Sequence, residues 1–133
     1  MLATRIFLAV VGVAYLVLAV WCAVKPTETA DAVGYTLHRG SGQSEYFVVY
    51  GGMQIGLGLI FLWPWLQPEA AKSVLIMSLV MHACLVVMRS ISFTQYSGIG
   101  NTTYALAVVE WLIFLGSAWR FAFRSELGGP RLW

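Results

Sequence analysis

Apolar residues dominate four stretches of the chain, about 5–24, 45–65, 70–90 and 103–122, and charged residues sit at or beyond their ends, Glu110 excepted. Each stretch is near the roughly 20 residues that a helix needs to cross the hydrocarbon of a bilayer. The pattern therefore predicts an all-α bundle of four transmembrane helices. Pro64 and Pro68 bracket a short break, which makes the second and third spans a tight antiparallel hairpin. Pro68 followed by Glu69 suits the first turn of the third span. Asn101, Thr102 and Thr103 offer caps for the fourth, after a Gly98-Ile99-Gly100 turn. Between the first two spans, residues 26–34 read as a short helix opened by Pro26 and ended by Gly34, with His38-Arg39-Gly40-Ser41-Gly42 flexible beyond it. We expect this extracytoplasmic segment to lid the outer end of the bundle.

The second span differs from a helix that faces only lipid. It carries Glu45, Gln54 and the glycines Gly51, Gly52, Gly56 and Gly58. In α-helical geometry Glu45 shares a face with Gly52 and Gly56, a small-xxx-small pair that admits a close neighbour. Gln54 falls on the opposite face with Gly51 and Gly58. Packing surfaces on two sides predict that this span is the central element, with the other three around it. The glycines are not a nucleotide loop, since no strand precedes them and no Gly-Lys-Ser/Thr follows.

Composition narrows the class. The 133 residues, read as one integral membrane domain, are 59% hydrophobic and 11% charged, against roughly 25% charged in soluble domains. A net charge of +2 gives no footprint for nucleic acid. Arg5 before an apolar run could open a signal peptide, but the run from Ile6 to Val24 is too long for a signal core, so a retained span is expected. Arg5, Lys72, Arg120, Arg124 and Arg131 fall on the side of the termini, and Lys25, Arg39 and Arg89 on the other. That bias favours cytoplasmic termini in a bacterial inner membrane, with Trp63, Trp65 and Trp119 as an inner aromatic belt and Trp21 at the outer face. Cys22 and Cys84 lie in different apolar spans, read as buried small hydrophobes with no bridge between them. No Cys-x-x-Cys supplies thiol-relay chemistry.

Polar side chains within a membrane are costly and face the bundle interior, so the candidate chemistry lies there. Ser78, His82 and Arg89 share one face of the third span, and Thr103, Glu110, Ser117 and Arg124 repeat every seven residues on the fourth. At ~1.5 Å per residue, Glu45 and Arg89 come to the outer boundary, His82 and Glu110 to roughly 10 Å inside it, and Gln54 and Tyr15 to about 13 Å. Tyr15, Glu45, Gln54, His82, Arg89 and Glu110 thus form one expected polar band in the outer half.

Two arrangements fit that band. In one, Glu45–Arg89 and Glu110–His82 pairs lock the helix order. In the other, the band lines a cavity in which His82 and Glu110 meet a polar head group or exchange a proton, with Glu110 neutral or paired to His82 or Arg89. The second makes the protein a binding or accessory module for a small amphipathic ligand, a lipid or a partner membrane protein. Alternatives are a proton-coupled transporter acting as a dimer, and an intramembrane enzyme with His82 and Glu110 as acid and base. No nucleophile arrangement, cofactor motif or metal-ligand set is legible: Ser90, Ser92 and Ser97 lack a base, and His38 is in the loop away from His82.

Gly40-Ser41-Gly42-Gln43-Ser44-Glu45, followed by Tyr50-Gly51-Gly52-Met53-Gln54-Ile55-Gly56-Leu57-Gly58, resembles a bacterial family of small four-span membrane proteins catalogued as a domain of unknown function (family 4345). Arg89 closing the third span, Glu110 within the fourth and the opening span from Arg5 to Trp21 are similar to that family too. The resemblance covers nearly the whole chain. It implies an inner-membrane four-helix bundle and carries no activity. The chain is also loosely similar to DoxX-like membrane proteins. Small multidrug transporters share its size but place an acidic residue in the first span, and this first span has none.

Overall fold

The computed structural model describes residues 2–126. All regular structure among them is helical, and four helices are long and apolar enough to cross a membrane. The first is α1 (Leu2–Val24), followed by a short α2 (Pro26–Ala32). The second span is α3 (Ser41–Trp65), the third contains α4 (Ala71–Gln95), and the fourth is α5 (Asn101–Glu126). The chain is an all-α bundle of four candidate transmembrane helices, as the hydropathy pattern predicts. Val10, Val17 and Val24, one every two turns of α1, are exposed, as on a surface whose solvent is lipid.

Two close pairs build the bundle: α1 with α3, and α4 with α5. Lipid offers no hydrophobic drive for helices to associate, so close fit must hold them. At the α1–α3 crossing, a Cβ on Gly12 would lie 2.8 Å from the Gly58 carbonyl oxygen, and one on Gly58 would lie 2.7 Å from Leu16 Cγ. A bare backbone on each helix is what lets them meet. Gly116 of α5 likewise makes room for Phe7, whose ring would lie 2.7 Å from an added Cβ.

The expectation of α3 as the central element is corrected. It is α1 that packs against every other span, while α3 has no comparable contact with α5. Gly51 and Gly58 do face α1, but nothing lies within 4 Å of a Cβ placed on Gly52 or Gly56. The second expected packing surface of α3 is therefore open.

Local structure departs from the sequence reading in three further places. First, α3 is not uniformly wound: Phe47–Met53 is a π-helical stretch, Gln54–Leu62 returns to α, and Trp63–Trp65 tightens to 3₁₀ at Pro64. The wide turn holds Gly51 and Gly52, poor helix formers, beside the β-branched Val48 and Val49. Second, α4 continues past residue 90 to Gln95, so Arg89 lies inside the helix rather than closing it. Third, the amides of Thr103 and Tyr104 donate to the Gly100 carbonyl at 3.1 and 3.3 Å. Asn101 to Thr103 therefore form the first turn of α5 instead of capping it. By contrast, the short helix after Pro26 forms and ends as expected at Gly34, which takes φ 82° and donates its amide to the Asp31 carbonyl at 3.0 Å.

Most of the buried apolar residues fall into two clusters, with Ala19, Ala71, Val86 and Ala107 buried outside both. Leu8, Val11, Phe61, Val74 and Leu75, flanked by Phe7, Tyr15, Leu57, Met81 and Ile113, draw on all four spans. This cluster lies in the half nearer the chain termini. Cys22, Ala30 and Tyr46, flanked by Leu18, Leu37 and Tyr50, lie in the half nearer α2 and involve only α1, α2, α3 and the loop after α2. No residue of α4 or α5 enters that second core.

Candidate functional site

Where the two helix pairs face each other, polar side chains occur in two layers. The deeper layer starts at His82, which is fully buried. Its Nδ1 lies 2.8 Å from the Ser78 carbonyl oxygen, a contact only a donor can make, so in the neutral ring Nδ1 carries the proton. Nε2 then accepts from the Tyr15 hydroxyl at 3.3 Å. The Tyr15 ring leans on Phe61 at a centroid distance of 5.4 Å and meets His82 edge-on at 6.1 Å. One turn toward the termini, the Ser78 and Ser117 hydroxyls pair at 2.9 Å, both fully buried. Ser78 and His82 of the third span and Ser117 of the fourth thus face inward, as their spacing predicts.

The shallower layer is an ion pair. Arg89 Nε donates to Glu110 Oε2 at 3.0 Å and Nη2 donates to Oε1 at 2.6 Å, a bidentate fork joining α4 to α5. The side chains are 27% and 16% exposed, so the pair is shielded without being sealed. Two of the five guanidinium donors are spent on the carboxylate, and the rest find no acceptor among the described residues. Tyr35 and Tyr50 are close enough to Arg89 to interact with it electrostatically.

Those tyrosines belong to a cluster that the sequence reading missed. Tyr46 and Tyr50 stack at 4.5 Å, and the Tyr50 hydroxyl donates to that of Tyr35 at 3.2 Å. The Tyr46 hydroxyl donates to Thr29 Oγ1 at 3.0 Å and lies 3.7 Å from Cys22 Sγ. Thr29 in turn donates to the Lys25 carbonyl at 2.8 Å, which ties α2 to both α1 and α3. The signal was available: Tyr46 and Tyr50 are four residues apart at one end of a span, with Tyr35 close by in the chain.

Of the six expected site residues, the fold brings together Tyr15 with His82 and Arg89 with Glu110. Gln54 lies seven residues before Phe61 on the same face of α3, and its Oε1 is buried with no hydrogen-bond partner. Glu45 is exposed and unpaired among the described residues, so the expected Glu45–Arg89 bridge does not form. The continuation of α4 past Arg89 and the wide turn after Tyr46 remove the alignment on which that bridge depended. The expected Glu110–His82 pair does not form either. Glu110 pairs with Arg89, and His82 is hydrogen-bonded at both ring nitrogens.

Neither thiol is in a disulfide: Cys22 is buried as expected, but Cys84 is exposed on the outward face of α4, which corrects its reading as a buried hydrophobe. Among the described residues no group of three His, Cys, Asp or Glu could hold a metal. The side chain of Arg124, the last member of the stripe on the fourth span, and the whole of Arg131 lie outside the described residues. Two open apolar grooves run along the outside. One, of about 300 Å³, is lined by Ile6, Ala9, Val10, Val13 and Trp65. The other, of about 380 Å³, is lined by Phe93, Tyr104, Ala107, Val108, Trp111 and Leu112.

Comparison with known proteins gives one result. The family described as "Domain of unknown function (DUF4345)" matches residues 3–120, from the start of α1 to the last turns of α5. No curated protein and no solved structure matches the chain.

Proposed function

The chain belongs to the DUF4345 family, and from that premise we propose that it is a non-catalytic membrane module that holds a small amphipathic molecule in the half of the bundle nearest α2. The observation that carries this reading is the division of the core. The apolar cluster that joins all four spans stops in the half near the termini. Nearer α2, the α4–α5 pair offers Arg89 and Glu110, and the facing elements offer Tyr35, Tyr50 and the unpartnered Gln54 Oε1. Arg89 and Glu110 cancel each other's charge, so a charged head group has little to gain there. An uncharged head group bearing hydroxyl or amide groups can donate to Gln54 and accept from the free Arg89 donors.

In this reading α2 is a lid, which its buried contacts to α1 and α3 support. The protein lies in a bacterial inner membrane, as the family resemblance implies, with its termini cytoplasmic. The lysine and arginine bias toward the terminal side supports that orientation.

Photo-crosslinking with a diazirine-bearing monoacylglycerol tests the proposal. The probe should label peptides containing residues 50–54 and 86–89, and excess unlabelled monoacylglycerol should compete. Gln54→Leu should reduce that labelling while leaving thermal unfolding in detergent unchanged. Labelling spread evenly over the lipid-facing residues, or unaltered in Gln54→Leu, would refute it.

A further inference from the structure

At the opposite end of the bundle, Arg5 is held in an unfinished set of contacts. Its guanidinium lies over the Trp65 ring, 4.7 Å from the centroid, and Nη2 donates to the Trp65 carbonyl at 3.4 Å. Nε is buried and has no partner. Among the described residues no carboxylate pairs with Arg5; the two ion pairs are Lys25–Glu28 and Arg89–Glu110. Among the described residues Nη2 has the one hydrogen bond of this guanidinium, and it is a long one, so the terminal nitrogens have donors to spare.

Beside Arg5 begins the open groove of about 300 Å³, lined by Ile6, Ala9, Val10, Val13 and Trp65. The four α1 residues follow the spacing i, i+3, i+4, i+7, so the groove runs along the helix axis, the direction of an acyl chain in a bilayer. Its head is cationic and its length is apolar. Trp65 serves both parts, since its ring lies under the guanidinium and it also lines the groove, a position that suits an indole at the membrane interface. The surroundings keep the same sign: Lys72 and Arg120 are also at this end, where Glu69 is the one acidic residue whose side chain is described.

We propose that the Arg5–Trp65 corner and the α1 groove bind one anionic phospholipid, with its phosphate on the guanidinium and one acyl chain along Ile6 to Val13. Any lipid can cover an apolar groove. What selects the head group is the guanidinium, whose charge is met by no carboxylate among the described residues and whose exposed Nη2 is held only by the long contact to the Trp65 carbonyl, so its terminal nitrogens can turn to a phosphate oxygen. This site is separate from the one near α2 in place and in head-group charge.

Native mass spectrometry of the full chain in mild detergent, titrated with dioleoyl phosphatidylglycerol or dioleoyl phosphatidylcholine, reads the proposal directly. The unaltered chain should retain one phosphatidylglycerol at concentrations where phosphatidylcholine is lost. Arg5→Gln should weaken that retention about tenfold, and Arg5→Lys less, since it keeps the charge but loses the fork. Val13→Trp, which fills the groove from its exposed side, should weaken retention of the lipid with Arg5 intact. Glu110→Gln, at the far end, should retain it normally. Equal retention of the two lipids by the unaltered chain would overturn the proposal, as would undiminished phosphatidylglycerol binding in Val13→Trp. The lipid contrast in the unaltered chain decides the matter even if Arg5→Gln fails to fold.

Discussion

Near the chain termini, Leu8 and Val11 of α1 meet Phe61 of α3 and Val74 and Leu75 of α4, and Phe7 fills the space left by Gly116 of α5. Nearer α2, the buried cluster of Cys22, Ala30 and Tyr46 draws only on α1, α2 and α3, and α4 and α5 bury Val86 and Ala107 apart from it. There α4 and α5 are joined to each other by the Arg89–Glu110 fork, with Tyr35 and Tyr50 within electrostatic reach of Arg89. One half is held by a single apolar cluster that joins all four spans, and the other by two separate sets of contacts, one of them an ion pair. In lipid, shape must supply most of the association energy, because apolar surface gains nothing by leaving one hydrocarbon environment for another. The half that forgoes it is therefore the half with latitude to change, and that is where we place a ligand.

Mutations can test this contrast. The largest effect is expected at the glycine crossing. Gly58→Leu drives a side chain into Leu16 and the Gly12 backbone, and should cost about 3 kcal/mol, read as a fall in the detergent unfolding midpoint. An equal loss from Gly52→Leu, where nothing lies within 4 Å, would mean that α3 packs on both sides after all.

Next comes the ion pair. Arg89→Met strands Glu110 in a shielded position and should cost roughly 2 kcal/mol, while the double change Arg89→Met with Glu110→Leu should recover most of the loss. Chemical denaturation of the single and double variants in one detergent gives the comparison. A double variant no more stable than the single would show that the fork is needed for packing beyond its charge.

The smallest expected change is Ser117→Ala, at about 0.6 kcal/mol. Interhelical hydrogen bonds in membranes are weak, and the Ser78 hydroxyl left behind can turn to a carbonyl of its own helix. A loss several times larger would move the rigid core from the aliphatic cluster to the serine–histidine layer.

What could be read from the chain follows from which forces act along one helix and which act between helices. The four spans were legible because hydrocarbon thickness imposes length on each separately. The inward faces of α4 and α5 were legible because Ser78 and His82, or Glu110 and Ser117, recur at helical spacing. Partners were not. Whether Glu110 meets His82 or Arg89 depends on the stagger between two helices, and helical spacing within one of them says nothing about it. Gly12 passed unnoticed because a lone glycine in an apolar run has no partner until Gly58 is placed against it. The tyrosine cluster carries no charge to mark it in the sequence, and Tyr35 meets Tyr50 only once the loop after α2 folds back on α3.

The wide turn at Phe47–Met53 has a consequence of its own. Each residue in a π-helical stretch advances the rotation by less than the ~100° of an α-helix, so the segment acts as a phase shifter between the two parts of the span. Counting from Glu45 to Gln54 on an α-helical wheel gives the wrong relative bearing. Deleting one residue there would re-aim everything from Ser41 to Tyr46 while leaving the Gly58 crossing in place. Membrane helices are seldom edited in length, because the bilayer fixes their span; here the chain holds a spare residue whose loss changes heading instead of reach.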